Sequence, residues 1–254
     1  MKIHALFVLK KGGVLIYYQE FTAGLLKIDP MLMSSFLTAM IDFSKSMVKE
    51  ELNVIDFGKL RLFFSNSVKE DVMFILLTDI SASVLLIQDR LNLVKKQFFD
   101  TVGTEVNQEI SYKIVNNALS TRLNQIINLH DAYSESSLAP IIKIFTEQMT
   151  KSEFSGGALF SMKGEILYSN LPIDFLHLAI REVEIRSQVD IARVKSKLPK
   201  FMWQSGDALV CSQVIRSRRG EFFVVNLLFD GSRTNPGIAD FELESIVKKI
   251  NDVI

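Results

Sequence analysis

The chain has 254 residues, which is enough for one large domain or two of ordinary size. Hydrophobic residues make up 48% of it and charged residues 23%, a composition typical of globular proteins and not of disordered ones. Basic and acidic residues number 29 each, so the formal net charge is zero. Because general nucleic-acid binding requires a net basic surface, we expect no nucleic-acid partner.

The sequence also indicates the cellular compartment in which the protein functions. Cys211 is the only cysteine, which excludes an intramolecular disulfide and fits a reducing environment. No apolar stretch approaches the roughly 18 residues that a membrane span needs. The first residues, "MKIHALFVLKKGG", lack the pattern of a secretory leader. We expect a cytoplasmic protein that reaches a membrane surface only indirectly, through partners.

The first predicted element is a β-hairpin followed by a helix. Two apolar runs, Ala5–Leu9 and Val14–Tyr18, flank the turn "KKGG", whose glycines can take the positive φ that tight hairpins require. Asp29 and Pro30 then mark the start of a helix that we expect to reach about Lys49.

That helix is apolar over more than one face. Apolar residues recur at spacings of three and four, at Met33, Phe36 or Leu37, Met40, Phe43 and Met47. Further apolar side chains fall between them. Since one side of the helix can lie on its own sheet, the other side needs a second domain or a partner protein.

Three strands and a helix complete the first predicted unit. The runs "LNVIDF", "KLRLFFS" and "DVMFILLTD" are typical of strands, and a helix begins near Ser81 or Ser83. Two helical patterns follow, "EVNQEISYKIVNNALSTRLNQII" and "LAPIIKIFTEQM", with Pro140 expected in the first turn of the second.

The second half repeats the first. "ALFSMKGEILYS" echoes "ALFVLKKGGVLIYY", and Ala158 follows Ala5 by 153 positions. Asp230 likewise follows Asp79 by 151 positions. A helix from Pro172, three strands and a final helix repeat the element order. The sequence therefore predicts an α+β fold with two duplicated domains, each a roughly five-stranded, mainly antiparallel sheet flanked by helices. We place these domains at 1–104 and 136–254, with a helical connector at 105–135.

No catalytic constellation is visible. His4, His130 and His177 lie far apart, and no pair has metal-ligand spacing. There is no phosphate-binding glycine loop and no nucleophile elbow. We therefore expect no enzymatic activity, no cofactor and no metal.

A predicted hairpin turn carries Arg216, Arg218 and Arg219. Such a turn could bind phosphate or act as an arginine finger, although hairpin tips are ordinarily just polar and exposed. We keep the three arginines as candidate partner contacts.

The order of elements resembles the longin/roadblock superfamily. "ALFVLKKGGVLIYYQEF" is similar to the opening hairpin of longin domains, and "GKLRLFFSNSVKEDVMFILLTD" followed by a helix resembles their last strands. The second half looks like a roadblock domain or a second longin domain. A helix at 138–149, before the hairpin, favours roadblock.

The resemblance implies a non-catalytic role. Longin and roadblock domains generally pair as dimers and form platforms for small Ras-like GTPases in trafficking and signalling complexes. It implies as partners a small Ras-like GTPase or other longin/roadblock proteins, with an internal pseudo-dimer or a homodimer. The expected partner-binding residues share two helices and the arginine turn; they are Met33, Phe36, Met40, Phe43, Met47, Leu176, Ile180, Arg216, Arg218 and Arg219.

Two other functions remain open at this stage. A ligand-sensing module of profilin-like or PAS/GAF-like fold predicts a sizeable apolar pocket inside one domain. A hydrolase assembled from both halves predicts carboxylates or histidines that meet in a cleft. A filled core between sheet and helices would favour the scaffold.

Overall fold

The computed structural model describes residues 2–10, 12–24, 29–49, 51–67, 71–103, 116–128, 135–187, 200–218 and 220–253. The chain divides into two compact units, unit 1 (Met1–Leu129) and unit 2 (His130–Ile254). Each unit contains one five-stranded, wholly antiparallel sheet with helices on both faces. The predicted α+β class with duplicated domains is confirmed.

Unit 1 follows the predicted element order. Its elements are β1 (Ile3–Lys10), β2 (Leu15–Glu20), α1 (Pro30–Phe43), β3 (Val54–Phe57), β4 (Leu60–Ser67), β5 (Val72–Asp79), α2 (Val84–Val102) and α3 (Asn117–Ile127). The strands lie in the order β2-β1-β5-β4-β3, so the two strands of the opening hairpin lie at one side of the sheet. A π-helical turn, Ser44–Val48, extends α1.

The two faces of this sheet carry different helices. Leu37 and Ile41 of α1 pack on one face, while α2 and α3 cover the other. Leu119 and Leu123 of α3 are wholly buried in that second layer. The hydroxyl groups of Ser120 and Tyr17 lie 3.0 Å apart, which ties α3 to β2. The part of the predicted connector 105–135 that forms α3 is therefore integral to unit 1.

A buried arginine fixes the β3 edge of the sheet. Arg61 is wholly buried, and its Nε and Nη2 donate to both carboxylate oxygens of Asp56 at 2.6 and 3.1 Å. Its Nη1 donates to the carbonyl of Ala82 at 2.8 Å. Because a buried charge is tolerated only when it is paired and hydrogen-bonded, these contacts hold β3, β4 and the start of α2 in one arrangement.

Unit 2 repeats the architecture with one change in helix order. Its elements are α4 (Glu135–Met149), β6 (Phe154–Ser161), β7 (Ile166–Ser169), α5 (Ile173–Ser187), β8 (Lys200–Ser205), β9 (Ala208–Arg216), β10 (Phe222–Asp230) and α6 (Pro236–Asn251). The strand order is β7-β6-β10-β9-β8, the counterpart of unit 1. The additional helix of unit 2 thus precedes its hairpin, whereas the additional helix α3 of unit 1 follows α2.

The cores of unit 2 mirror those of unit 1. α5 covers one face of the sheet, and α4 with α6 covers the other. Phe145 of α4 reaches the sheet because Gly157 has no side chain: a Cβ there would lie 2.7 Å from the phenyl ring. Pro140 lies inside α4 and not in its first turn as predicted, because the helix begins at Glu135.

Candidate partner-binding surfaces

One side of α1 is exposed and apolar. With 3.6 residues per turn, Leu32, Phe36 and Phe43 fall within about 40° of each other around the helix, and the buried Leu37 and Ile41 lie on its opposite side. The exposed apolar residues of this region are Met31, Leu32, Phe36, Phe43, Met47 and, on β3, Phe57. We call these six residues the α1 surface.

The local geometry holds this surface in place. The Asp29 carboxylate accepts the backbone N–H of Met31 at 2.8 Å and so caps α1. The rings of Phe36 and Phe57 contact each other edge to face, with centroids 6.0 Å apart. The aromatic pair joins the helix to the edge strand, so the surface spans two elements.

The α1 residues expected from the sequence divide into two groups. Phe36, Phe43 and Met47 belong to the α1 surface, and Phe43 and Met47 are 63% and 69% exposed. Met33 and Met40 are half-buried. Met31, Leu32 and Phe57 were missed, because the apolar spacing alone does not say which side of a helix faces the sheet or what lies beside it.

The candidate residues on α5 are less accessible. Leu176 is half-buried against the core, and Ile180 is only 1% exposed. The structure therefore corrects the prediction for Ile180, which packs α5 onto the sheet instead of facing outward. The exposed apolar residues of α5 are Ile173, Leu178 and Ile185. Phe175 stacks on Trp203 of the edge strand β8, which parallels the Phe36–Phe57 pair of unit 1.

The arginines of the predicted turn are engaged within unit 2. The Arg216 guanidinium lies over the Phe222 ring, 5.5 Å from its centroid. Arg218 Nη2 donates to the backbone carbonyl of Asp252 at 3.1 Å, at the end of α6. Arg219 lies outside the described residues. Both described side chains are exposed, so each remains accessible at its position.

The described residues hold no arrangement typical of a catalytic centre. Burial raises the pKa of Cys211 to about 12, which makes its thiol a poor nucleophile. His4 is buried between the Asp79 carboxylate, at 2.8 Å, and the Thr22 hydroxyl, at 3.2 Å. His130 is outside the described part of the chain. Within that part, no three potential metal ligands cluster, and no helix is both long and apolar enough to cross a membrane.

A groove of about 580 Å³ runs between α4 and α6. Its apolar lining residues are Ile238, Phe241 and Ile246, most of the others are polar, and Phe241 is 72% exposed. This groove lies at the surface of unit 2 and not between its sheet and helices. No sequence pattern indicated it, because it depends on how closely two helices approach.

No family model and no curated protein matches the sequence. Among solved structures, "Myxococcus xanthus MglB" is similar over 49% of this chain and 93% of its own, at 12% identity and a TM-score of 0.39. "MglB with tetrameric arrangement" is similar over 48% of this chain and 92% of its own, at 13% identity and a TM-score of 0.37. The gliding protein MglB from Thermus thermophilus is similar over 48% of this chain and 93% of its own, at 11% identity and a TM-score of 0.36.

The strand order and the helix positions carry the assignment of the fold. Both units show the order strand, strand, helix, three strands, helix that the resemblance requires. The chain is therefore built from two α+β units that share one strand order. The two units differ in the position of their additional helix, which precedes the hairpin in unit 2 and follows α2 in unit 1.

Proposed function

We propose that this chain is a non-catalytic scaffold that binds a small Ras-like GTPase and regulates its nucleotide state within a trafficking or signalling complex. The observation that carries the proposal is the α1 surface, six exposed apolar side chains on one helix and the adjoining edge strand. Isolated exposed apolar residues are common, but a group of them on one helix and the strand beside it marks an interaction site. The longin/roadblock-like architecture supports a GTPase as the partner.

The chemistry of the α1 surface suits a protein partner. Aromatic residues and methionine are enriched in the centres of protein interfaces, while charged residues are depleted there. Phe36, Phe43 and Phe57 offer large apolar area, and Met31 and Met47 can adapt their shape to a partner. The zero net charge of the chain is compatible with association governed by such a patch.

The exposed side of α5 is a second docking element in this proposal. Its Ile173, Leu178 and Ile185 stand outward where the α1 surface has its own exposed residues. We propose that the exposed side of α5 serves pairing with a second copy of the chain, which leaves the α1 surface free for the GTPase. The expected solution mass is twice that of one chain, and the mass of a single chain would contradict this pairing.

The ligand-sensor alternative receives less support. It requires an enclosed apolar pocket inside one unit. Buried apolar side chains pack both sheet faces in both units, and the 580 Å³ groove is external to those layers.

Affinity capture tests the proposed function. The purified chain is immobilised and incubated with lysate of its own organism, once with GDP and once with a non-hydrolysable GTP analogue. We expect mass spectrometry to identify a small GTPase retained in one nucleotide state at least tenfold above the other. Recovery of no GTPase in either state would contradict the proposal.

A further inference from the structure

The sheet face under α5 differs from its counterpart under α1. In unit 1 the central row of this face, read across β1, β5 and β4, is Phe7, Ile75 and Phe64. In unit 2 the corresponding row across β6, β10 and β9 is Ala158, Asn226 and Ser212. All three residues of the second row are wholly buried. Where unit 1 has three large apolar side chains, unit 2 therefore has one small apolar side chain and two polar ones.

Side chains of α5 descend into the space above this polar row. Arg186 is 2% exposed, and its Nη2 donates to the Ser212 hydroxyl at 2.6 Å and lies 2.5 Å from Glu182 Oε1. Ser212 in turn donates to Glu182 Oε1. The Arg186 guanidinium also stacks over the Phe201 ring, 4.3 Å from its centroid. A hydrogen-bonded cluster therefore joins α5 to β9 where unit 1 has apolar contact.

Several buried polar atoms of this region have no hydrogen-bond partner among the residues that the structure describes. Among them are the Oδ1 and Nδ2 atoms of Asn226 and the Oε2 atom of Glu182. Asn226 is next to Ser212 in the register of the sheet, and Ser212 contacts Glu182, so the atoms belong to one region. A buried polar group without a hydrogen bond is unfavourable, and buried water ordinarily satisfies such groups.

We propose that unit 2 encloses a water-binding site between Asn226 and Glu182, under α5. The three atoms comprise two acceptors and one donor, which complement the two donor protons and the acceptor oxygen of a water molecule. Ala158 and Ser212, on either side of Asn226, supply the room that Phe7 and Phe64 fill in unit 1. The bound water links α5 to the central strand β10, so this helix is docked through a hydrated polar layer while α1 is docked through an apolar one.

Oxygen-17 magnetic relaxation dispersion on the full chain tests the site directly, because it counts water molecules with long residence times. We expect the wild-type chain to hold one more long-lived water than the Asn226→Leu variant, which removes both amide atoms at similar size. Asn92→Leu, at an exposed position of α2, is the matched control and should leave the count unchanged. Equal counts for wild type and Asn226→Leu would overturn the proposal.

The direction of the stability change provides a second test. If water satisfies the amide, Asn226→Leu removes favourable hydrogen bonds and isolates Glu182, so the urea midpoint reported by Trp203 falls. If the amide is instead buried without any hydrogen bond, its removal raises the urea midpoint, and that result would refute the water site. Should Asn226→Leu fail to fold, a crystal structure of the wild-type chain decides, since the water must appear within hydrogen-bonding distance of the Asn226 amide.

Discussion

Replacing Gly13 with alanine should destabilise unit 1 by about 3 kcal/mol, the sum of two effects of about 1–2 kcal/mol each. Gly13 has a φ of +85°, a left-handed conformation that is unfavourable for a residue with a Cβ. That Cβ would also lie 2.2 Å from Thr38 Oγ1 on α1. The hairpin turn and α1 would have to separate. Urea unfolding followed by far-ultraviolet circular dichroism measures the loss.

Gly12→Ala is the matched control for this prediction. Gly12 has nearly the same φ, +83°, but a Cβ there meets no atom within 4 Å. It should therefore lose only the backbone contribution, about 1 kcal/mol. Adding Thr38→Ala to Gly13→Ala should recover part of the difference. If the Gly12 and Gly13 variants lose the same amount of stability, a Cβ at position 13 does not clash with α1. Trp203, the only tryptophan, reports unit 2 separately.

The double variant Phe43→Glu, Met47→Glu should weaken binding of the captured GTPase at least 100-fold. Both side chains are more than 60% exposed, so the fold should tolerate the charges. In the complex they would be buried, and desolvating two unpaired carboxylates while losing two apolar contacts costs about 3 kcal/mol. Isothermal titration calorimetry with the purified GTPase measures the dissociation constant.

A glutamate placed at another exposed phenylalanine controls for surface charge. Phe241 on α6 is 72% exposed and lies outside the α1 surface. We expect Phe241→Glu to change the dissociation constant less than threefold. If the double variant binds as tightly as wild type, or if Phe241→Glu is equally damaging, the α1 surface is not the binding site.

The order and type of the elements could be predicted because their signals are local. Alternating and continuous apolar runs identified all ten strands of the described residues, and the Asp29–Pro30 pair marked the start of α1. Asp79 and Asp230, which are 151 positions apart, are the last residues of β5 and β10. The repeat in the sequence therefore corresponds to equivalent strands in the two sheets.

Burial and tertiary packing could not be predicted from the same patterns. Phe36 and Leu37 are adjacent and both apolar, yet one faces outward and the other packs on the sheet. The sequence of α3 suggests a connector until its Leu119 and Leu123 are seen to complete a core. Asn226 and Ser212 lie in ordinary strand patterns, and only the register of β9 and β10 brings them beneath Glu182 and Arg186.

The most direct test of the central claim is a calorimetric titration of the wild-type chain with the captured GTPase, loaded first with GDP and then with the GTP analogue. We predict a saturable one-site isotherm and at least a tenfold difference in Kd between the two nucleotide states. Binding with equal affinity in both states, or no measurable heat of binding in either, would contradict the proposal that this chain recognises and regulates a small GTPase.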